Sequence, residues 1–361
     1  MDLVTDGGSG AEPLLARLAR DAEAGRASRT PEERRGWLAG LVEAAARCAD
    51  HPPTARLLDH WQCAAPVPHT RALHEVTVLS GMPVSVRVLL PETAGPHPVV
   101  LAVPGHGPGA VAVCGPDPGA PDGDSTNGHG RFGLDLLAEG ATVVVPEVLG
   151  LGPRQSAQDR AYDPDAPHAC YRLATRLLDH GLTLAGVRVA ELRGLLDVLP
   201  ALLASEAGAG HAPLVGAAGF SGGAPLAAVL GAVDDRVSAL ALTGWPGSYE
   251  GSIHAVRHCL CNHLPGQAPL LEQADLLALL APRPLGVATG RQDPIFSLEG
   301  FEQVVRALAG VYGQAGATDR LVHHVHPGGH EVDGSRLWPW LVRVLREPDQ
   351  RQGQVGSPTI T

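Results

Sequence analysis

The stretch that decides the fold is LVGAAGFSGGAPLAAVL, residues 214–230. An apolar run typical of a buried strand ends at Phe220, and a helical pattern of small residues begins directly after Ser221. Gly219, Ser221 and Gly223 match the G-x-S-x-G pattern, in which a tight turn from strand to helix exposes the serine hydroxyl above a sheet. We therefore predict that Ser221 is a nucleophile at the carboxyl end of a strand.

The sequence on both sides of this stretch alternates short β-branched runs with longer helical patterns. This alternation indicates a parallel sheet with helices on both faces. The strands are predicted at 98–103, 141–148, 213–220, 237–245, 284–290 and 321–326. Upstream, HEVTVLSGMPVSVRVLLPE has two alternating apolar runs around Ser80–Gly81 and predicts a hairpin. In α/β sheets ligands bind beyond the carboxyl ends of the strands, so the residues that follow each strand are the site candidates.

A serine hydroxyl becomes a good nucleophile only when a base accepts its proton, and that base needs a carboxylate to fix its tautomer. Asp293 follows the predicted strand at 284–290, and His330 lies in a glycine-containing loop after the strand at 321–326. We therefore predict a catalytic triad of Ser221, Asp293 and His330.

An acyl-transfer intermediate also needs two N–H donors for its oxyanion. Gly222, the residue after the nucleophile, is the first predicted donor. The loop PGHGPGA, which follows the strand at 98–103, is expected to supply the second. We assign this second donor to His106, with Gly107 as the alternative.

Four residues are predicted to contact the substrate. They are Gly107 in the same loop, Glu147 after VVVP, Trp245 at the end of a strand, and His258 in the segment 246–281. Glu147 has two alternative roles, as a second acid or as a structural ligand for the loop that contains Arg154. Because the segment 246–281 follows a strand end, it is interpreted as pocket-lining or cap-like.

Two other patterns are typical of a bound dinucleotide and of a bound zinc ion, but each lacks part of the sequence context that such a site requires. Gly105, Gly107 and Ala110 match the dinucleotide pattern G-x-G-x-x-A, but the Pro- and Gly-rich residues that follow do not predict the helix such a site requires. The segment SIHAVRHCLCNHLPG contains side chains that zinc binds, without H-E-x-x-H or paired C-x-x-C. We predict neither cofactor nor metal and interpret this segment as pocket-lining; its candidate ligands are His254, His258, Cys259, Cys261 and His263.

Composition limits the partners and the location. The formal charge of the 361 residues is -11 with no basic block, so neither nucleic acid nor an anionic membrane surface is an expected partner. The sequence contains no signal peptide pattern and no apolar run of about 18 residues, and its six cysteines are sparse, so a cytoplasmic location is expected. It contains no lysine, which excludes a P-loop lysine and Schiff-base chemistry.

The chain divides into three parts. Residues 1–70 are predicted to be a polar helical extension in which Thr30 and Glu33 form a capping box. This extension is expected to cover the pocket or to form a homodimer contact. Residues 71–347 are the predicted catalytic domain, and the tail 348–361 is expected to be disordered.

Over about residues 70–347 the chain resembles the α/β-hydrolase superfamily, in particular a bacterial branch of dienelactone-hydrolase-like and acetyl-xylan-esterase-like proteins. The resemblance is carried by GFSGGA, LTLAGVRVAELRGLLDVL, CLCNHLPG followed by ADLLALLAPRPLGVATGRQDPIF, and HPGGH. It implies an eight-stranded, mostly parallel sheet, the triad named above, and action on carboxylic esters or related acyl compounds without a cofactor.

The sequence departs from the family pattern at two places. Pro104–Gly105 stands where the family usually has His-Gly, so the second oxyanion donor stays open between His106 and Gly107. Ser221 stands where dienelactone hydrolases proper have a cysteine nucleophile, so a dienelactone substrate is not inferred for this chain.

The leading hypothesis is a serine hydrolase that cleaves a small ester, thioester or lactone through an acyl-enzyme at Ser221. The alternatives are an acyltransferase, cyclase or C–C hydrolase that uses the same triad, and an inactive scaffold or binding protein that keeps the fold.

Overall fold

One mixed sheet of nine strands runs through the computed structural model, which describes residues 11–79, 81–93, 95–120, 128–204 and 211–347. In chain order the strands are β1 (Thr54–Cys63), β2 (His69–Leu79), β3 (Met82–Pro91), β4 (His97–Val103), β5 (Thr142–Pro146), β6 (His211–Phe220), β7 (Val237–Thr243), β8 (Leu285–Gly290) and β9 (Leu321–His326). Across the sheet their order is β1-β2-β3-β5-β4-β6-β7-β8-β9.

The six strands predicted from β-branched runs make up the parallel part of the sheet, from β5 to β9. All residues of β4, β5 and β8 are buried. Strands that are buried on both faces are expected where helices cover both sides of a parallel sheet. The predicted α/β class is confirmed.

The described residues contain eleven α-helices. In chain order they are α1 (Glu12–Ala27), α2 (Pro31–Ala46), α3 (Ala110–Cys114), α4 (Phe132–Ala138), α5 (Ala157–Tyr162), α6 (Cys170–Asp179), α7 (Leu184–Ala204), α8 (Gly223–Val233), α9 (Gln273–Ala278), α10 (Leu298–Gln314) and α11 (Leu337–Arg346).

These helices bury two apolar cores, one on each face of the sheet. The alternation of side chains along β4 separates them: Leu101 and Val103 belong to the core that includes α2, α7, α8 and α10. Val100 and Ala102 belong to the core that includes α3, α4 and α11. Helices therefore cover both faces of the sheet, so we expect a ligand-binding site at the strand ends.

The sheet has nine strands where eight are predicted. The additional strand, β1, lies within the extension that is predicted to be helical, and it pairs antiparallel with β2 at the sheet edge. Most of its side chains are exposed, so no apolar alternation marks it in the sequence. The helical prediction is wrong for Thr54–Cys63 because backbone pairing with β2, a tertiary interaction, decides its conformation.

The predicted hairpin is present as the antiparallel pair of β2 and β3. Gly81 at the turn has a φ of 69°, a left-handed value that glycine adopts without the steric cost of a Cβ. Ser80, its predicted neighbour in the turn, lies outside the described residues.

The N-terminal helices pack onto the rest of the protein. The capping box at the start of α2 is confirmed: Thr30 Oγ1 accepts the N–H of Glu33 at 3.2 Å, and the N–H of Thr30 donates to Glu33 Oε2 at 2.8 Å. Leu38 and Val42 of α2 are fully buried in the same core as α7. Arg34 of α2 pairs with Asp275 at 3.0 Å, which joins the extension to the segment 246–281.

Two further predictions concern the chain as a whole. The tail 348–361 lies outside the described residues. Among the helices that are described, none is both long and apolar enough to cross a membrane.

Candidate active site

The turn between β6 and α8 carries Ser221 at the carboxyl edge of the sheet. Ser221 has a φ of 50°, a left-handed value that costs energy for a residue with a side chain. The turn is held because the N–H of Ser221 donates to the carbonyl of Thr243 at 3.0 Å. A Cβ at Gly223 would overlap the carbonyl oxygen of Val103, so the turn tolerates only glycine there. These contacts form the strained turn that presents a serine hydroxyl.

The structure brings the three predicted triad residues together. His330 Nε2 lies 2.9 Å from Ser221 Oγ, and His330 Nδ1 lies 2.7 Å from Asp293 Oδ2. Both distances are within hydrogen-bond range. The imidazole can therefore accept the serine proton on one nitrogen while its other nitrogen donates to the carboxylate.

Asp293 is held in its ionised form behind His330. Its side chain is fully buried, and burial alone would raise its pKa. The hydrogen bond and charge of His330 outweigh that effect and lower the pKa of Asp293, together with two backbone donors. The N–H groups of Ile295 and Phe296 donate to Asp293 Oδ1 at 2.8 and 3.0 Å. One carboxylate oxygen is thus fixed by the backbone, and the other faces the histidine.

Two aromatic rings pack around His330. The Phe220 ring lies 4.9 Å from the imidazole centroid, and the Phe296 ring stacks on it at 5.7 Å. A Cβ at Gly244 would lie 2.6 Å from the Phe220 ring and 3.4 Å from His330 Cε1. Because Gly244 has a φ of 59°, glycine also satisfies the backbone there. This packing fixes the orientation of the His330 imidazole.

An open cleft of about 490 Å³ lies over the triad. Ser221 and His330 line it, together with residues from the loops after β4 and β7 and from the start of α6. Among the predicted site residues, His106 and His258 also line this cleft. Residues 256–259 of the segment 246–281 form part of its wall, and Val256 is 41% exposed at its rim. None of the described residues of the N-terminal extension lines it.

The loop after β4 lies against the turn at Ser221 through Gly105. A Cβ there would lie 2.5 Å from the carbonyl oxygen of Phe220 and 3.1 Å from the N–H nitrogen of Gly222. The N–H of Gly105 donates to His129 Nε2 at 2.9 Å, so this N–H is already in use. His129 is fully buried and was not identified from the sequence, because it lies in a Gly-rich loop without a motif.

The side chain of His106 lies directly against Gly222. A Cβ at Gly222 would be 2.6 Å from His106 Nδ1. The two predicted oxyanion donors are therefore neighbours beside Ser221. Their role as donors stays a prediction.

Solved structures show which fold this is, although no family model and no curated protein matches the chain. A candidate acetyl xylan esterase from Bacteroides fragilis is 16% identical with a TM-score of 0.72, and the match covers 96% of this chain and 97% of that one. This chain has the α/β-hydrolase fold. Two further structures agree with the α/β-hydrolase assignment. A glucuronoyl esterase from Solibacter usitatus is 17% identical (TM-score 0.58; 86% and 90% covered), and an acetyl xylan esterase from Paenibacillus sp. R4 is 13% identical (TM-score 0.57; 86% and 93%).

Within this α/β-hydrolase fold, Glu147 does not line the cleft. Its side chain is buried, Oε1 pairs with Arg87 at 2.9 Å, and Oε2 accepts the N–H of Ala110 at 3.0 Å. Burial raises the pKa of Glu147, against the opposing charge of Arg87. The carboxylate thus occupies the N-terminus of α3, the five-residue helix that follows the glycines of the dinucleotide-like pattern. Its contacts fit a structural role in the loop after β4 rather than a substrate contact.

Replacing Arg87 with leucine is expected to lower the free energy of unfolding by about 3–5 kcal/mol, because it leaves Glu147 buried without its cation. Arg87 also donates to both oxygens of Asp117, at 2.9 and 2.7 Å. Urea unfolding of the purified variant measures the loss. The Arg87→Leu/Glu147→Gln double variant is expected to recover part of it. Arg56→Leu, which breaks an exposed pair with Glu75, is the control and should cost less than about 1 kcal/mol; a similar loss for both single variants would contradict the prediction.

Two other predicted substrate contacts lie away from the cleft. Trp245 is buried and lines a separate cavity of about 40 Å³ that also contacts Gly222. Gly107 belongs to the loop after β4 but is not among the cleft residues. The strand ends of this sheet therefore contribute residues to two separate cavities, and a position after a strand does not show which cavity a residue lines.

The histidines and cysteines of the segment 246–281 separate into two groups. Residues 251–255 form turns and residues 256–258 are not helical, so no helix aligns His254 with His258, four residues further on. His254 pairs with Glu250 at 2.9 Å and stacks on His263, both outside the cleft wall. His258 and Cys259 line the cleft.

His258 is electrically neutral at neutral pH. Burial, with further effects from His106, His263 and His330, lowers the pKa of His258 to about 4. Asn262 Nδ2 lies 3.1 Å from His258 Nδ1 and donates to it. The proton of the neutral ring is therefore on Nε2, a buried atom without a hydrogen-bond partner among the described residues. His258 thus lines the cleft and has one buried donor atom that no described residue uses.

Proposed function

We propose that this protein is a serine hydrolase that cleaves the carboxylic ester, thioester or lactone of a small molecule. The observation that carries this proposal is the alignment of Ser221, His330 and Asp293 at 2.9 and 2.7 Å, with the serine on a strained turn at the floor of an open cleft. A triad with these distances activates a hydroxyl for attack on an acyl carbon.

The reaction follows from the contacts of each residue. His330 Nε2 accepts the proton of Ser221 Oγ as the oxygen forms a bond to the acyl carbon, and the carbonyl electron pair moves onto its oxygen. Collapse of this tetrahedral species expels the alcohol or thiol, which takes the proton from His330. Water then attacks the acyl-enzyme as His330 accepts its proton, and Ser221 leaves with that proton as the acid is released. Asp293 keeps the imidazole in the tautomer that both steps require.

The oxyanion of both tetrahedral species is assigned to two backbone donors. We propose the N–H of Gly222 and the N–H of His106, with Gly107 as the alternative to His106. The contact of the His106 ring with Gly222 supports this pair, because it brings the two residues to the same side of Ser221. Preorganised N–H donors of this kind contribute about 3–4 kcal/mol each to the transition state.

Two observations favour ester hydrolysis over the other uses of such a triad. The solved structures that share the fold are named as acetyl xylan and glucuronoyl esterases. The exposed rim at Val256 leaves the cleft open to solvent, so water can reach an acyl-enzyme. Acyl transfer, cyclisation or C–C bond cleavage requires that water be excluded or outcompeted, and an inactive scaffold has no need of an intact triad.

We further propose a cytoplasmic enzyme that acts on a small substrate and not on nucleic acid. All six cysteines are free thiols, which fits a reducing compartment. The net charge of -11 disfavours a polyanionic partner.

A fluorophosphonate probe tests the proposal without a known substrate. The probe reacts with an activated serine next to an oxyanion site, and peptide mass spectrometry locates the label. We expect the label on Ser221, its loss in His330→Ala, and turnover of short p-nitrophenyl esters. Label without turnover would favour the transferase or cyclase alternative. A wild-type Ser221 that stays unlabelled would contradict the triad assignment.

Replacing His258 with alanine is expected to lower kcat/KM for a p-nitrophenyl ester by about 3- to 10-fold, the value of one hydrogen bond of about 0.5–1.5 kcal/mol. The reason is that His258 lines the cleft and its buried Nε2 has no hydrogen-bond partner among the described residues, so a bound substrate that reaches this nitrogen would gain a hydrogen bond. Steady-state kinetics at neutral pH measure the change. His254→Ala, which removes an exposed imidazole from the same segment, is the matched control. An unchanged kcat/KM in His258→Ala would show that this donor does not reach the substrate.

A further inference from the structure

Five side chains that carry sulfur or imidazole nitrogen meet beside the cleft, three of them in its wall, and the hydrolysis proposed above uses none of these side-chain atoms. We call them the thiol–imidazole cluster: His106, His168, Cys170, Cys259 and Cys261. The first four each offer one donor atom, and these four atoms all lie within 4.8 Å of one another. Cys261 adjoins them, with its Sγ 3.1 Å from Cys259 Sγ and 3.2 Å from His106 Nε2.

The cluster is assembled from three separate parts of the chain. His106 lies in the loop after β4, His168 and Cys170 lie at the start of α6, and Cys259 lies in the loop after β7. Short separation along the chain explains the proximity of Cys259 to Cys261 and of His168 to Cys170. The tertiary fold brings these two pairs and His106 to the same point.

The spacing and chemistry of the cluster fit a tetrahedral zinc site. Zinc binds thiolate sulfur at about 2.3 Å and imidazole nitrogen at about 2.0–2.1 Å, so neighbouring ligand atoms are about 3.3–3.8 Å apart. His106 Nε2 lies 3.5 Å from Cys170 Sγ, within that range. We propose that His106, His168, Cys170 and Cys259 bind a zinc ion through two imidazole nitrogens and two thiolates.

Two observations outside the distances support this assignment. His168 Nδ1 is buried and has no hydrogen-bond partner among the described residues, a state that costs about 1–3 kcal/mol unless another group satisfies the ring. Arg188 is buried and donates to Cys170 Sγ at 3.2 Å, while two further contacts to the carbonyl of Leu149 fix its position. Outer hydrogen bonds of this kind orient metal ligands and stabilise the thiolate form.

A zinc ion here would join three loops at the carboxyl edge of the sheet. The imidazole of His106 uses Nε2 toward the cluster and lies against Gly222 on its Nδ1 side. The ion would therefore position the loop to which we assign the second oxyanion donor, without touching the substrate. Binding of the ion does not depend on the proposed function, whereas its effect on catalysis rests on that function.

The experiment measures metal binding to the full chain under reducing conditions. Protein purified without chelator is analysed for zinc, then extracted and titrated with Zn²⁺ and with Co²⁺, whose thiolate complexes absorb in the near ultraviolet. We expect one ion per chain and thiolate-to-cobalt absorption. Zinc affinity should fall at least about 100-fold in Cys259→Ser and in His168→Asn. Loss of a hydrogen bond to a metal ligand lowers affinity by about 10- to 100-fold, and loss of the ligand itself should cost at least as much. Cys48→Ser, at an exposed cysteine, is the control and should bind as the wild type does.

Two results would overturn the inference. One is a wild-type protein that neither retains zinc nor produces the cobalt–thiolate absorption, and the wild-type titration decides this even if a variant fails to fold. The other is a disulfide between Cys259 and Cys261 in protein kept under reducing conditions. Fluorophosphonate labelling of Ser221 is scored separately, so a failure of the proposed hydrolysis and a failure of metal binding are distinguishable.

Discussion

Replacement of Ser221 with alanine is expected to lower kcat for a p-nitrophenyl ester by about 10⁴-fold or more and to abolish fluorophosphonate labelling. The variant loses the hydroxyl oxygen that lies 2.9 Å from His330 Nε2 on a residue that lines the cleft. Residual turnover should come from water attack assisted by the oxyanion donors and the binding cleft. Steady-state kinetics with enough enzyme to resolve a slow rate measure the loss.

The control for this variant is Ser28→Ala, which removes an exposed hydroxyl at the end of α1. It should keep wild-type turnover and labelling. Circular dichroism should show that Ser221→Ala is folded. Alanine and serine both have a Cβ, so the left-handed backbone at this position costs about the same in the variant as in the wild type. Turnover within tenfold of the wild type would mean that another residue is the nucleophile.

Replacement of Asp293 with asparagine is expected to lower kcat by about 10³- to 10⁴-fold with little change in the fold. The backbone N–H groups of Ile295 and Phe296 hold one oxygen of the residue, so the amide nitrogen must face His330 Nδ1. That nitrogen donates, and His330 Nδ1 must then accept. The ring proton moves to Nε2, which can no longer take the proton of Ser221.

Asp319→Asn, at an exposed position before β9, is the matched control and should leave kcat unchanged. Fluorophosphonate labelling of Asp293→Asn should be slowed together with ester turnover, since both need the same base. Full activity in Asp293→Asn would show that the tautomer of His330 is set by some other group.

The proximity of Ser221, Asp293 and His330 could be predicted because each follows a short run whose sequence indicates a strand. Parallel strands end at one edge of the sheet, so the positions after those runs must meet in space. Glu147 shows the limit of this reasoning. A carboxylate after a strand has the same sequence pattern whether it faces the cleft or turns back into a loop, and its direction here is set by Arg87 on β3.

The thiol–imidazole cluster could not be predicted from the sequence, because its members come from segments that are far apart in the chain. CLCNHLPG indicates Cys259 and Cys261 as ligand candidates, but His168 and Cys170 belong to no motif and lie about 90 residues upstream. β1 was not predicted because most of its side chains are exposed, so its sequence lacks the alternation of apolar and polar residues that indicates a strand. Both the cluster and the strand form through contacts between distant segments, and the local sequence of each segment does not predict such contacts.

β1 is the edge strand of the sheet and covers β2. An edge strand presents unpaired N–H and carbonyl groups to other chains, and natural proteins limit the resulting association with charges and irregular pairing. β1 has an exposed charged residue at Arg56 and a break in its register between Leu57 and Asp59. The strand behind it, β2, is largely buried on both sides. Removal of the whole N-terminal extension would leave the backbone groups of β2 that now pair with β1 without partners at a new sheet edge, which favours association between chains. A truncation that keeps this edge covered must therefore end before Thr54.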